Sequence, residues 1–395
     1  MQKLVTILGS TGSIGKNALD VIAQHPDAFS VHALTAHSST EQLFEQCLKY
    51  QPLYAVLGSE KAAMALKKKL QLSALKTEVL YGPSALCEVA SSSSADIVIA
   101  GIVGAAGLMP TLSAIKAGKR VLLANKEALV MAGDIMMKTS LEAQAELMPI
   151  DSEHNALLQC MPAGYHPGYS PDGVEKIILT ASGGPFRKLS IKELAHVSPQ
   201  AALCHPNWVM GPKISIDSAT MMNKGLEIIE AFYLFKVKLS QIDVIVHPQS
   251  LIHALVTYRD GSVLAQLGYP DMRTPIAAAL SWPNRIQSGV KPIDLATLTS
   301  LDFELPDEKR FPCLNLAKEA LQEGGVMPTV MNASNEVAVK AFLNHACSFN
   351  EIPTIIKRVM MQTQPKKAMD IETILEADHL SRLKAHSIIK SYSDI

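Results

Sequence analysis

The chain has 395 residues, 48% hydrophobic and 18% charged, with a net charge of −1. That composition describes a globular protein with core material for two or three domains and argues against a disordered chain. Balanced charge, with no stripe of Lys and Arg interleaved with aromatics, argues against a nucleic-acid partner. Six cysteines, Cys47, Cys87, Cys160, Cys204, Cys313 and Cys347, lack Cys-x-x-Cys spacing and read as idle thiols in a reducing compartment. A strand at 3–8 leaves no room for a signal peptide, and the longest apolar candidate, 97–110, is interrupted by glycines. A cytoplasmic protein with no membrane partner is expected.

Residues 1–150 alternate short strands rich in β-branched residues (4–8, 31–35, 55–57, 97–100, 121–124) with amphipathic stretches at 17–24, 41–50 and 108–117. This βαβα order predicts a Rossmann-like parallel sheet covered on both faces. From 151 the pattern changes to strands at 176–180, 243–247, 251–258 and 263–267, the last two flanking Asp260-Gly261, a hairpin signal. Residues 151–285 therefore read as a central α+β domain. Residues 286–311, proline-containing and without periodicity, read as a linker, and 312–395 as a C-terminal α-helical bundle. The fold class expected overall is α/β.

Gly9-Ser10-Thr11-Gly12-Ser13-Ile14-Gly15 follows the first strand and opens a helix, the context in which glycines bring backbone against a pyrophosphate. After the second strand stands His37-Ser38-Ser39, with no acid to hold ribose hydroxyls, which favours NADP over NAD.

Asp151 and Glu153 follow the apolar run 147–150. Read as a continuing strand, positions i and i+2 share a face. With Glu227 they form a three-carboxylate set suited to a hard cation, Mg²⁺ or Mn²⁺. Ser218, Asn223 and Lys224 together suit a phosphate. Met221 and Met222 read as core fillers, and His154, His247 and His253 as structural histidines. Ser182-Gly183-Gly184 is either an anion nest or a plain turn. The loop from His205 through Trp208, Val209 and Gly211 to Lys213 is either a lid over a ligand or a Trp-anchored loop.

Seven segments in order resemble the 1-deoxy-D-xylulose 5-phosphate reductoisomerase family across nearly the whole chain. They are residues 8–15, 124–127, 151–155, 182–186, 205–208, 213–227 and 247–250. The resemblance implies an NADPH-dependent oxidoreductase and isomerase of isoprenoid biosynthesis. It would rearrange 1-deoxy-D-xylulose 5-phosphate by a retro-aldol/aldol sequence and reduce the aldehyde to 2-C-methyl-D-erythritol 4-phosphate. It implies Asp151, Glu153 and Glu227 on the metal and Thr11, Gly12, Ser13, Ile14, Asn125, Glu127 and Gly211 on NADPH. It implies substrate contacts from Lys126, Ser152, Glu153, Ser182, His205, Ser218, Asn223, Lys224 and Glu227, with Lys126, Glu153 and His205 counted as catalytic. It further implies that residues 151–285 carry catalysis and dimerisation. Relatives carry Gly, then Lys or Arg, then Asn, where this chain has His37-Ser38-Ser39. The rival readings are a simple NADP dehydrogenase with a structural metal and a non-catalytic NADP sensor.

Overall fold

The computed structural model describes residues 2–208 and 210–393. Its contacts group the chain into two units, one of residues 1–128, 136–155 and 271–291, the other of 129–135, 156–270 and 292–395.

The first unit is built on a seven-stranded sheet: β1 (Lys3–Leu8), β2 (Phe29–Ala36), β3 (Tyr54–Leu57), β4 (Glu78–Tyr81), β5 (Ile97–Ala100), β6 (Arg120–Leu123) and β7 (Glu146–Pro149). All pairings are parallel, in the order β4-β3-β2-β1-β5-β6-β7. The chain winds outward from β1 in one direction and then from β5 in the other. The crevice where the winding reverses, between the carboxyl ends of β1 and β5, is where such sheets take ligands. Val5, Ile7, Ile97 to Ile99 and Val121 to Leu123 are buried, as continuous apolar strands covered on both faces require. The unit is completed from far along the chain. The Arg273–Ser281 helix packs on the Ser13–Gln24 helix, and Arg273 pairs with Asp20 at 3.0 Å.

The second unit holds β8 (Val174–Ala181), β9 (Ile242–Val246), β10 (Ile252–Tyr258) and β11 (Val263–Leu267), in the order β11-β10-β8-β9. β8 and β9 are parallel, while β10 runs antiparallel to both of its neighbours. The β10–β11 hairpin turns at Gly261, whose φ is +86°, and Asp260 accepts from both Ser262 N and Oγ. Four helices, Cys313–Glu323, Met327–Leu343, Glu351–Met361 and Ile371–Ser393, follow the segment 292–311. That segment crosses the end of β9, where Glu304 bridges Val246 backbone to backbone and its carboxylate pairs with Arg187. Among the described residues, no helix is long and apolar enough to cross a membrane.

One local expectation is corrected. Residues 151–153 do not continue the strand: β7 ends at Pro149 and a helix runs from Ser152 to Cys160. The Asp151 carbonyl accepts the first helical bond from Asn155 N at 2.9 Å, so Glu153 lies in a first helical turn. The shared strand face predicted for Asp151 and Glu153 does not exist. Helical spacing instead sets Asp151 beside His154.

Candidate active site

In the first unit, three polar groups stand at the carboxyl ends of strands. After β1 comes the glycine loop. Gly9 has φ +82° and donates to Thr35 Oγ1 at 2.8 Å. A side chain at Gly15 would come 2.3 Å from the Ser10 Cα, so only glycine lets the helix start this close to the strand. Gly12 begins the Ser13–Gln24 helix with no side-chain cap. The first-turn N–H groups of Ser13 and Ile14 therefore suit an external anion.

After β6, Asn125 caps the Lys126–Glu142 helix by accepting from Ala128 N at 2.9 Å, and its amide donates to Gly104 O at 3.0 Å. The cap fixes the start of the helix and, with it, Lys126 and Glu127, both buried. After β7, Lys126 Nζ meets Asp151 Oδ2 at 2.5 Å, and buried His154 places Nδ1 3.7 Å from the same oxygen. Burial by itself would raise the Asp151 carboxyl, but Lys126 and His154 outweigh it and hold the group well below the usual carboxylate range. Ser152 Oγ donates to Glu153 Oε2 at 2.6 Å.

In the second unit, the Pro212–Ala219 and Met222–Phe235 helices meet at Met221, which takes a left-handed φ of +61°. Met221 and Met222 are core residues, as expected. The joint puts Asn223 and Lys224 in a first helical turn. There Asn223 Nδ2 donates to Glu227 Oε1 at 2.6 Å and Lys224 Nζ to Glu227 Oε2 at 2.5 Å. A buried lysine at the positive end of a helix is poorly placed unless anions compensate it. Glu227 supplies one.

Ser182 follows β8, and both glycines after it have left-handed φ, +80° and +69°. A side chain at Gly184 would lie 2.8 Å from the Ser218 carbonyl oxygen, so the 182–184 turn sits against the helix that carries Ser218. His205 Nε2 lies 2.9 Å from Ser182 Oγ. Ser182, Ser218 and His205 are thus brought together, as are Asn223, Lys224 and Glu227. Gly211 is exposed at the start of the Pro212–Ala219 helix. Trp208 is half-buried with its ring 6.2 Å from that of His253, which favours the anchored-loop alternative; Val209 lies outside the described residues.

Two further groups stand beside these residues. His154 reads as a structural histidine in the sequence, yet it faces Asp151; the i, i+3 spacing from an Asp at a helix start is the signal for the pair. Asp217, buried beside Ser218, pairs with Lys213 at 2.7 Å and accepts from Asn335 Nδ2 at 2.9 Å. Its four-residue spacing from Lys213 was the available signal.

A doubly wound sheet with an uncapped glycine loop, an acidic cluster and a lysine-centred anion cluster define a dinucleotide-binding enzyme for an anionic substrate. Three family models match in succession: 1-deoxy-D-xylulose 5-phosphate reductoisomerase over residues 5–133, the reductoisomerase C-terminal domain over 147–235, and the DXP reductoisomerase C-terminal domain over 267–384. A 1-deoxy-D-xylulose 5-phosphate reductoisomerase of Janthinobacterium sp. (strain Marseille) is 57% identical over 387 residues, covering 98% of this chain and 99% of that one. One from Paraburkholderia xenovorans (strain LB400) is 54% identical over 396 residues, covering 100% and 98%. A crystal structure of DOX-P reductoisomerase in complex with NADPH, fosmidomycin and magnesium superposes with a TM-score of 0.94 at 46% identity, covering 100% of this chain and 99% of that one. The Zymomonas mobilis enzyme in complex with NADPH gives 0.91 at 44% identity, covering 98% of each chain. The chain belongs to the 1-deoxy-D-xylulose 5-phosphate reductoisomerase family. It is an enzyme that converts 1-deoxy-D-xylulose 5-phosphate into 2-C-methyl-D-erythritol 4-phosphate.

Proposed function

We propose that Thr11, Gly12, Ser13 and Ile14 bind the pyrophosphate of NADPH, assisted by Asn125, Glu127 and Gly211, and that Asp151, Glu153 and Glu227 hold one divalent cation. The observation that carries this reading is the Asp151 carboxylate, kept ionised by Lys126 beside it. An all-oxygen set of carboxylates fits Mg²⁺ or Mn²⁺, and the uncapped helix start fits a pyrophosphate. When bound, the cation supplies Lewis acidity and NADPH the hydride.

The remaining work falls to this chain's own side chains. Ser182, Ser218, Asn223 and Lys224 bind the substrate phosphate, and that remote binding orients the carbon skeleton for a retro-aldol/aldol rearrangement. Lys126 and Ser152 donate to backbone oxygens of the substrate. Glu153 and Glu227 accept from its hydroxyls. His205 donates from its loop, which Trp208 anchors through its packing on His253.

The enzyme works as a homodimer in the cytoplasm. The dimer is supported by β11, an edge strand that leaves Val263 and Leu264 about half exposed. The compartment is supported by six cysteines that are all thiols, one of them exposed.

The test incubates the protein with 1-deoxy-D-xylulose 5-phosphate, NADPH and Mg²⁺ and follows NADPH absorbance. Oxidation that depends on substrate and stops in excess chelator is expected. Turnover that persists in chelator contradicts the metal assignment.

A further inference from the structure

The loop carrying His205 is tied to the ends of two neighbouring strands. β8 and β9 pair in parallel up to Ala181 and Val246. Ser182 follows one and the turn 247–250 follows the other. The turn is firmly set. His247 N donates to Ala181 O at 2.7 Å, and Ser250 N closes the turn on His247 O at 3.0 Å. Buried His247 places Nδ1 2.9 Å from Asp302 O, and its ring stacks on Phe303 with centroids 5.0 Å apart. Ser250 takes a left-handed φ of +53°, a conformation kept only where the surroundings impose it.

Asn207 is the link from this turn to His205. Its Nδ2 donates to Pro248 O and to Ser250 Oγ, both at 2.7 Å. With the side chain held there, the N–H groups of Asn207 and Trp208 point at His205 Nδ1, at 3.2 and 3.0 Å. A ring nitrogen that accepts two N–H groups carries no proton, so the neutral imidazole holds its proton on Nε2. That proton is donated to Ser182 Oγ at 2.9 Å. Ser182 Oγ also accepts from Gly184 N at 3.1 Å. A hydroxyl has two lone pairs and one proton. With both lone pairs engaged, Ser182 is left to act as a donor.

We propose that Asn207 is a positioning residue: clamped by the 247–250 turn, it fixes His205 as the Nε2–H tautomer and so orients the Ser182 proton toward the substrate phosphate. The proposal rests on the reading that Ser182 and His205 face the substrate.

Two variants test it, Asn207→Ala and the milder Ser250→Ala, which removes one of the two acceptors. Nitrogen-15 spectra of histidine-labelled, ligand-free protein report the His205 tautomer. Steady-state kinetics with 1-deoxy-D-xylulose 5-phosphate report its use. The expected result is the Nε2–H form in the parent and mixed tautomers in Asn207→Ala. KM should rise roughly tenfold with kcat within about twofold, the loss expected for a weakened hydrogen bond to a charged group. Ser250→Ala should fall between. An unchanged tautomer in Asn207→Ala overturns the proposal. Mixed tautomers with an unchanged KM leave the clamp standing but remove Ser182 and His205 from the phosphate, which overturns the substrate reading beneath it.

Discussion

Asn335 and Asp217 form a hydrogen bond between two fully buried side chains 118 residues apart, Nδ2 to Oδ1 at 2.9 Å. The bond ties the Met327–Leu343 helix to the helix that ends beside Ser218. Lys213 Nζ lies 2.7 Å from the other carboxylate oxygen, so both oxygens of buried Asp217 have a partner. Asn335→Ala removes one donor from a buried carboxylate, which costs about 1.5–3 kcal/mol. Urea unfolding should show that loss. A change under about 0.5 kcal/mol, the level of an ordinary surface substitution, would contradict it.

Glu227→Gln should lower turnover by roughly 10²–10⁴-fold while the fold survives, because a weakened Lewis acid forfeits several kcal/mol of transition-state stabilisation. Lys224→Ala should chiefly raise KM through the phosphate. Steady-state kinetics beside circular dichroism separate the two. Near-normal turnover in Glu227→Gln would exclude it as a ligand.

Gly184 has φ +69°, and an added side-chain carbon would lie 2.8 Å from the Ser218 carbonyl oxygen. Gly184→Ala therefore meets both backbone strain and a clash, and the turn must move away from Ser218. A loss of at least 1 kcal/mol in stability is expected, on the order of that for alanine forced to positive φ, with a raised KM. A variant matching the parent in both would show that the turn is not packed this way.

Asp271 accepts from Arg273 Nη2 at 2.7 Å, and this bonding holds its carboxyl below the usual value against a smaller opposing effect of burial. A depressed folded-state value stabilises the protein above the unfolded value near ~3.9 and stops doing so as pH falls through the folded one. Compared with Asp271→Asn, the parent should hold a constant advantage from about pH 5 to 8 that shrinks below about pH 4. Denaturation midpoints across that range decide it. An advantage that grows on acidification has the wrong sign.

Burial pushes the Cys47 and Cys313 thiols up to about 12, whereas Cys204 is exposed. Only the thiolate reacts readily, so iodoacetamide at pH 8 should label Cys204 long before either buried thiol. Mass spectrometry of timed digests reads the order. Equal rates for Cys204 and Cys313 would show that the Cys313–Glu323 helix opens readily.

Runs that are apolar throughout, such as β5 and residues 121–123 of β6, are plain in the sequence because parallel strands covered on both faces leave few polar positions. β4 is not: Glu78 and Tyr81 are exposed at a sheet edge, and nothing in so short a run marks a strand. The carboxylates are legible in the sequence, but the helix bearing Glu153 is masked, because the apolar run 147–150 reads on smoothly into Asp151. An Asp before an acidic first turn is also a helix start, and that signal was present. The partners of Asp217 and Asn207 were out of reach. They come from segments far along the chain, and no local pattern pairs Asn335 with Asp217 or Asn207 with Ser250.

The first unit takes its last segment, 271–291, from well beyond its sheet. There Arg120 Nη1 reaches Trp282 O at 3.1 Å and His25 Nε2 meets Gln287 O at 2.6 Å. During synthesis, therefore, the nucleotide-binding half cannot complete itself when its seven strands have emerged. It must wait, with one side of the Ser13–Gln24 helix bare, until more than a hundred further residues have left the ribosome. A fragment ending near residue 150 would inherit that bare face permanently, so cutting the gene at the apparent domain border should yield an aggregating product.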